Sequence, residues 1–264
     1  MPDRQELTVG DADGVRTLTL NRPSAYNSFT TGLKEALLAE LHLAGTDDSV
    51  RAIVLTGAGK AFSAGQDLRE HIAVLTAGVD EPMNTVDVHY NPLVRAVTTL
   101  PKPVIAAVNG TAAGAGASLA FACDLRVVAE SAKFLLAFAG VGLSADTGAS
   151  WTLPRLIGYG RAMELMLLSR PVTADEALRI GLVNRVVPDG EALPAAIELA
   201  ASMAAGPTTA YARIKGAMLA AAGADLEHAL AVESRAQAEL AATADHREAV
   251  QAFVDKRPPS FTGR

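Results

Sequence analysis

Two uninterrupted apolar runs constrain this chain more than any other feature of its sequence. Arg51-Ala-Ile-Val-Leu-Thr56 and Val104-Ile-Ala-Ala-Val108 show no polar residue between their ends. A strand without polar alternation has no face to give to water, so both read as buried strands of a layered α/β protein. Each run empties into a loop of small residues. The first leads through Gly57-Ala58-Gly59-Lys60 into Phe62-Ser-Ala-Gly-Gln-Asp-Leu68, the second into Asn109-Gly-Thr-Ala-Ala-Gly-Ala-Gly116. Helices are predicted just beyond both loops, over 67–75 and 117–122. The result is a strand–loop–helix rhythm, and 264 residues are enough to bury a full core without disulfides or a structural metal.

Val15–Leu20 alternates with the strand period, and Asp13-Gly14 before it suits a tight turn. Further strands are predicted over 124–128, 134–138 and 182–187, and further helices over 32–44, 92–100 and 191–205. Thr173 and Glu176 form a capping box. Pro207 suits the start of the next helix, and Asp225 and Asp245 are candidate caps for two more. Residues 77–90 mix polar, glycine and proline residues and read as a lid or pocket wall. An alanine-rich chain favours close helix packing and burial at subunit interfaces.

Composition removes several function classes. A formal charge of −6 gives no electrostatic support for nucleic-acid binding. The single cysteine, Cys123, sits in the apolar run Leu-Ala-Phe-Ala-Cys-Asp-Leu and reads as buried rather than nucleophilic. No apolar run reaches membrane-spanning length and the first ten residues lack a signal-like stretch, so the expectation is a cytoplasmic protein with no membrane partner. Gly57–Lys60 lacks the P-loop spacing, and Gly114-Ala-Gly116 lacks the third glycine of a dinucleotide fingerprint. His42, His71, His89, His228 and His246 form no metal-ligand spacing, and Ser63, Ser118 and Ser144 lack a nucleophile elbow. No metal site is expected.

What remains are the two small-residue loops. Helix starts leave backbone N–H groups without acceptors, and two such groups aimed at one carbonyl would stabilise an oxyanion. Here the sequence resembles a known family. Phe62–Leu68, Lys102–Gly116, Cys123–Phe134, Leu153–Val187 and Gln251–Phe261 together resemble the crotonase superfamily, also called the enoyl-CoA hydratase/isomerase family. The resemblance implies an α/β crotonase-like spiral of ββα units over 1–200. A C-terminal helical region over 201–264 would complete the CoA site and form homotrimers or homohexamers. It also implies an acyl-CoA thioester substrate, with coenzyme A as part of the substrate and no redox or metal cofactor. By resemblance, the Ala64 and Ala115 amides are the oxyanion donors, and Ser63, Ala64, Gln66, Asp67 and Leu68 line the CoA thioester. Arg22 and Lys256 are candidate CoA contacts, Lys256 across a subunit boundary.

The chemistry within the family turns on carboxylates. The positions of the two glutamates of family hydratases are matched by Ser118 and Phe138, neither of which handles a proton as a carboxylate does. Asp146 offers one carboxylate instead, and reads either as the N-cap of the following helix or as an acid/base residue. Gly142–Arg155 and Asn91–Val104 resemble the phenylacetate-pathway isomerases, which act on a ring-epoxide thioester or move an enoyl double bond. One carboxylate can do the latter by taking a proton from C2 and returning it to C4. The alternatives are an atypical hydratase, an aryl-CoA dehalogenase using Asp146 as nucleophile, and a non-catalytic CoA-binding or structural homologue.

Overall fold

The computed structural model describes residues 5–264. Its strands are β1 Leu7–Ala12, β2 Val15–Leu20, β3 Ala52–Gly57, β4 Ala61–Ser63, β5 Val104–Val108, β6 Thr111–Ala113, β7 Leu125–Ala129, β8 Lys133–Leu135, β9 Val172–Thr173 and β10 Arg185–Val187. Its helices are α1 Thr31–Thr46, α2 Leu68–Thr76, α3 Asn91–Thr99, α4 Ala115–Ala122, α5 Ala149–Ile157, α6 Tyr159–Leu168, α7 Ala174–Arg179, α8 Ala192–Ala204, α9 Thr208–Ala221, α10 Leu226–Ala241 and α11 Ala244–Asp255.

The strands form two sheets that advance together. The large sheet runs β1-β2-β3-β5-β7-β10 and the small one β4-β6-β8-β9. β3, β5 and β7 lie side by side in parallel, and each is followed at once by a short strand, β4, β6 or β8, placed in the same parallel order in the second sheet. Each turn of the chain therefore adds one strand to each sheet, which is the spiral of ββα units. Every residue of β3 and β5 is buried, as their apolar sequences require, and α8 packs along β3, β5 and β7.

Several expectations need correction. β1 was not legible as a strand, because only Leu7 of its six residues is buried and an exposed edge strand shows no apolar alternation. It pairs with β2 through the Asp13-Gly14 turn, both residues at positive φ. The strand predicted over 134–138 ends at Leu135, and the one over 182–187 begins at Arg185. Asp245 does not cap α11. Thr243 does, accepting from His246 N, while the buried Asp245 carboxylate accepts from the Thr262 and Gly263 amides of the C-terminal tail. Residue 200 lies inside α8, and the helices that follow are α9 to α11.

That region, α9 to α11, buries only Asp245 and Ala252 among its helical residues. Lys215 on α9 holds it to the core by donating to Asp124 at 2.8 Å and to the Val97 carbonyl at 2.9 Å. Ile214, Met218, Leu226, Val250, Phe253 and Val254 remain exposed on it. No helix among the described residues is long and apolar enough to cross a membrane.

Candidate active site

The loop after β4 meets the N-terminus of α4, and glycine makes the approach possible. Gly65 has φ +87°, and a Cβ there would lie 2.8 Å from the Ala113 carbonyl oxygen and 3.2 Å from Ala115 N. Gly116, one residue into α4, stands against β4, where a Cβ would meet the Ser63 carbonyl oxygen at 2.5 Å. The small residues of both motifs thus serve backbone contact between strand and helix.

The free amides in this junction differ from expectation. The Ala64 N–H already donates to the Tyr26 carbonyl at 2.9 Å, so it is not available to a substrate. On either side of residue 66 the chain is tied to Phe29, whose N–H donates to Gly65 O and whose carbonyl accepts from Asp67 N. The Gln66 N–H between them has no acceptor among the described residues. The Ala115 N–H, at the first position of α4, also has none, as helix geometry dictates. Gln66 and Ala115 therefore both carry unspent amides, the former two residues on from the Ala64 position in the first loop.

The other residues assigned to that loop hold it in place. Ser63 is fully buried and donates to the Asn27 carbonyl. Asp67 caps α2, accepting from Arg69 N and Glu70 N, and also accepts from Arg22 Nη1 at 2.8 Å and Ser28 Oγ at 2.9 Å. Burial pushes the Asp67 carboxyl up, but the Arg22, Ser28 and Glu70 hydrogen bonds outweigh it and hold it down at about 2. Arg22 also pairs with Glu6 at 2.8 Å. Arg22 and Asp67 are thus paired with each other. Leu68 is exposed at the start of α2. Lys256, at the C-cap of α11, makes no ion pair among the described residues.

Asp146 stands in a different environment. It does not cap α5: that position belongs to Gly148, with no side-chain cap. Its carboxylate accepts from the Thr147 hydroxyl at 2.8 Å and forms no ion pair among the described residues. Burial pushes its carboxyl above the usual range, against the Thr147 hydrogen bond and the charge of Lys34. Ser118 and Phe138 are both buried; the Ser118 hydroxyl donates to the Gly114 carbonyl at 3.1 Å.

A polar wall unforeseen in the sequence stands at residue 66, and Asp146 acts on two of its members, Lys34 and Tyr90, through its charge. Tyr90, buried at the end of a π-helical turn over Val86–Tyr90, donates its hydroxyl to Gln66 Oε1 at 2.5 Å. Burial, with the negative charges of Asp146, Glu70 and Asp67, drives the Tyr90 hydroxyl far up, so it stays a donor. Lys34 Nζ on α1 donates to Thr85 Oγ1 at 2.5 Å and Gln66 Oε1 at 3.4 Å. His89 Nδ1 lies 3.1 Å from the same Thr85 hydroxyl, and burial lowers the His89 pKa. Part of the segment read as a lid or pocket wall therefore carries this wall. Lys34 had a legible signal: it falls on the same helix face as Leu33, Leu37 and Leu41, all buried. A groove of about 790 Å³ lies elsewhere, lined by residues of α4, α5 and α9 including Phe121, Trp151 and Met218.

Comparison with known proteins places this arrangement. The model of the family described as enoyl-CoA hydratase/isomerase matches residues 10–264. The chain belongs to the enoyl-CoA hydratase/isomerase family. The 1,2-epoxyphenylacetyl-CoA isomerase of Escherichia coli strain K12 is 44% identical over 251 residues, covering 95% of this chain and 96% of its own. The probable enoyl-CoA hydratase of Rhodobacter capsulatus is also 44% identical, over 256 residues and 96% of each chain. Among solved structures, the enoyl-CoA hydratase from Bacillus anthracis superposes with a TM-score of 0.92 at 37% identity, covering 98% of this chain and 100% of that one. Family relatives named for isomerisation and for hydration are thus equally close in sequence.

Proposed function

We propose that this chain is an acyl-CoA isomerase in which Asp146 moves the proton and the Gln66 and Ala115 amides hold the thioester oxygen. The observation that carries this reading is the state of Asp146: half-buried, unpaired by any cation among the described residues and free of capping duty, within reach of the charge of Lys34 beside residue 66. In double-bond migration Asp146 takes a proton from C2 of a 3-enoyl thioester. The electron pair moves onto the thioester oxygen, giving a dienolate, and the same carboxyl returns the proton to C4. Two amides that bind this oxygen more strongly as its charge grows lower the barrier selectively. The E. coli relative's name adds the ring-epoxide of phenylacetyl-CoA as a candidate substrate.

A second reading is hydration, favoured by the hydratase names of other relatives. It must proceed with one carboxylate, because Ser118 and Phe138 occupy the two positions that carry glutamates in family hydratases. The test is turnover of a 3-enoyl-CoA, the ring-epoxide thioester and a 2-enoyl-CoA in water, wild type beside Asp146→Asn. Isomer formation that collapses in the variant supports isomerisation, and water addition as the dominant reaction supports the second reading. CoA contacts at Leu68 and Lys256 belong to the same proposal, as does assembly into a trimer or hexamer through the uncovered apolar faces of α9 to α11. Light scattering gives the mass, and a monomer at assay concentration removes the assembly.

A further inference from the structure

One buried charge is left without a task by the proposed chemistry. Lys34 is 1% exposed, although helix α1 could have placed an aliphatic residue on that face. Its ammonium forms no ion pair among the described residues. It rests on Thr85 Oγ1, on Gln66 Oε1 and on the Tyr90 ring, 4.9 Å from the centroid. Burial pushes its pKa down, while the negative charges facing it push back: Glu70 from α2, Glu35 from its own helix and Asp146 from the loop before α5. His89 and Tyr90 face it from the π-helical turn. A buried ammonium is expensive to keep, and this one stands on the side chain of the residue whose amide is unspent.

We propose that Lys34 is a positioning residue for the reaction: it fixes residue 66 through its side chain and supplies the cation that faces Asp146. The inference rests on the isomerase reading of Gln66 and Asp146. Tyr90 and Lys34 together anchor Gln66 Oε1, and the Phe29 bridge anchors the backbone on both sides of it. The Gln66 N–H is thereby held in one direction before substrate arrives. Proton abstraction breaks the C2–H bond, puts the proton on Asp146 and moves the negative charge to the thioester oxygen. A fixed cation adjoining residue 66 favours the state with charge at that end. In the resting enzyme the same cation favours the ionised form of Asp146, the form that serves as base.

The test is the pH profile of kcat/KM for a 3-enoyl-CoA in Lys34→Met and Lys34→Arg. Asp146 acts ionised, so activity falls as pH drops through its pKa. Removing the facing cation raises that pKa, and the acidic limb moves to higher pH. In Lys34→Met, kcat falls about tenfold or more while KM changes little, and Lys34→Arg keeps the limb in place. If Lys34→Met does not fold, Lys34→Gln, which keeps a donor for Thr85 without the charge, carries the same expectation. A folded uncharged variant with the wild-type limb and kcat overturns the inference. So does an equal kcat loss in the uncharged and Arg variants with both limbs unmoved, which marks a packing role. Wild-type turnover in Asp146→Asn removes the underlying isomerase reading instead. An inactive Asp146→Asn beside an unperturbed Lys34→Met overturns the role of Lys34 alone.

Discussion

Asp67 and Asp146 are buried or half-buried aspartates, one next to residue 66 in sequence and the other facing its polar wall, and their surroundings are opposite. Asp67 accepts four hydrogen bonds, from Arg22, Ser28 and two amides of α2, and is held down at about 2. Asp146 accepts one, from its neighbour Thr147, and burial pushes it up. On the proposed isomerase reading, the difference separates scaffold from chemistry. A carboxylate whose lone pairs are all engaged gains nothing from taking a proton, whereas one that is desolvated and under-paired is poised to exchange it. The family resemblance grouped Asp67 with ligand-binding residues because it lies in the motif. Its hydrogen bonds within the chain hold the motif's shape.

The largest expected effect comes from removing the under-paired member. Asp146→Asn lowers kcat on a 3-enoyl-CoA by about a thousandfold, the span of general acid–base catalysis. Its thermal midpoint stays near wild type, because a partly desolvated charge is lost and no ion pair is broken, Lys34 keeping its Thr85 and Gln66 contacts. A drop in stability with activity retained would erase the distinction between the two aspartates. In the wild type the acidic limb of kcat/KM lies above the ordinary carboxylate range, since the base must be ionised and its pKa is raised.

Asp67→Asn does the reverse, costing about 2–4 kcal/mol of stability in urea denaturation because it leaves Arg22 half-buried and short of a partner. The linkage has a definite sign. A carboxyl depressed on folding contributes stability that is present above its unfolded pKa and is lost as pH falls toward about 2. Wild type therefore loses stability through that window, and Asp67→Asn loses less of it over the same interval. Gly65→Ala is the next step down, at about 1–3 kcal/mol. It strains a residue at φ +87° and drives a methyl group against Ala113 O, turning the Gln66 amide next to it. Activity falls with stability there, unlike either aspartate variant.

The buried framework was legible because it obeys one-dimensional rules. Val104–Val108 is apolar throughout and is a central strand, and Thr173 caps α7 through Glu176 N as the capping box requires. β1 was missed for the complementary reason, since an edge strand with five exposed residues leaves no periodic mark. At the site, the motifs located both loops but not which amide in the first is free. That depends on Tyr26 accepting from Ala64, a contact across 38 residues of chain that spacing does not encode. Tyr90 and Thr85 were invisible for the same reason: their task exists only after α1, the loop after β4 and the π-helical turn converge.

Asp245 extends the comparison to a place outside the site, and with Thr243 it supplies the smallest expected effect. By position Asp245 reads as the cap of α11, yet its carboxylate accepts from Thr262 N at 2.7 Å and Gly263 N at 2.8 Å, while Thr243 Oγ1 accepts from His246 N at 3.1 Å. Like Asp67, it is a buried carboxylate spent on backbone amides. Thr243→Ala therefore costs about 1 kcal/mol, the value of one N-cap, and leaves the C-terminal tail docked. Asp245→Asn keeps the cap and loosens the tail, which amide hydrogen exchange at residues 262 and 263 reads directly. Neither change touches an amide or carboxyl assigned to the reaction, so both leave kcat at the wild-type value. Faster exchange of the tail in Thr243→Ala than in Asp245→Asn would return the capping task to Asp245.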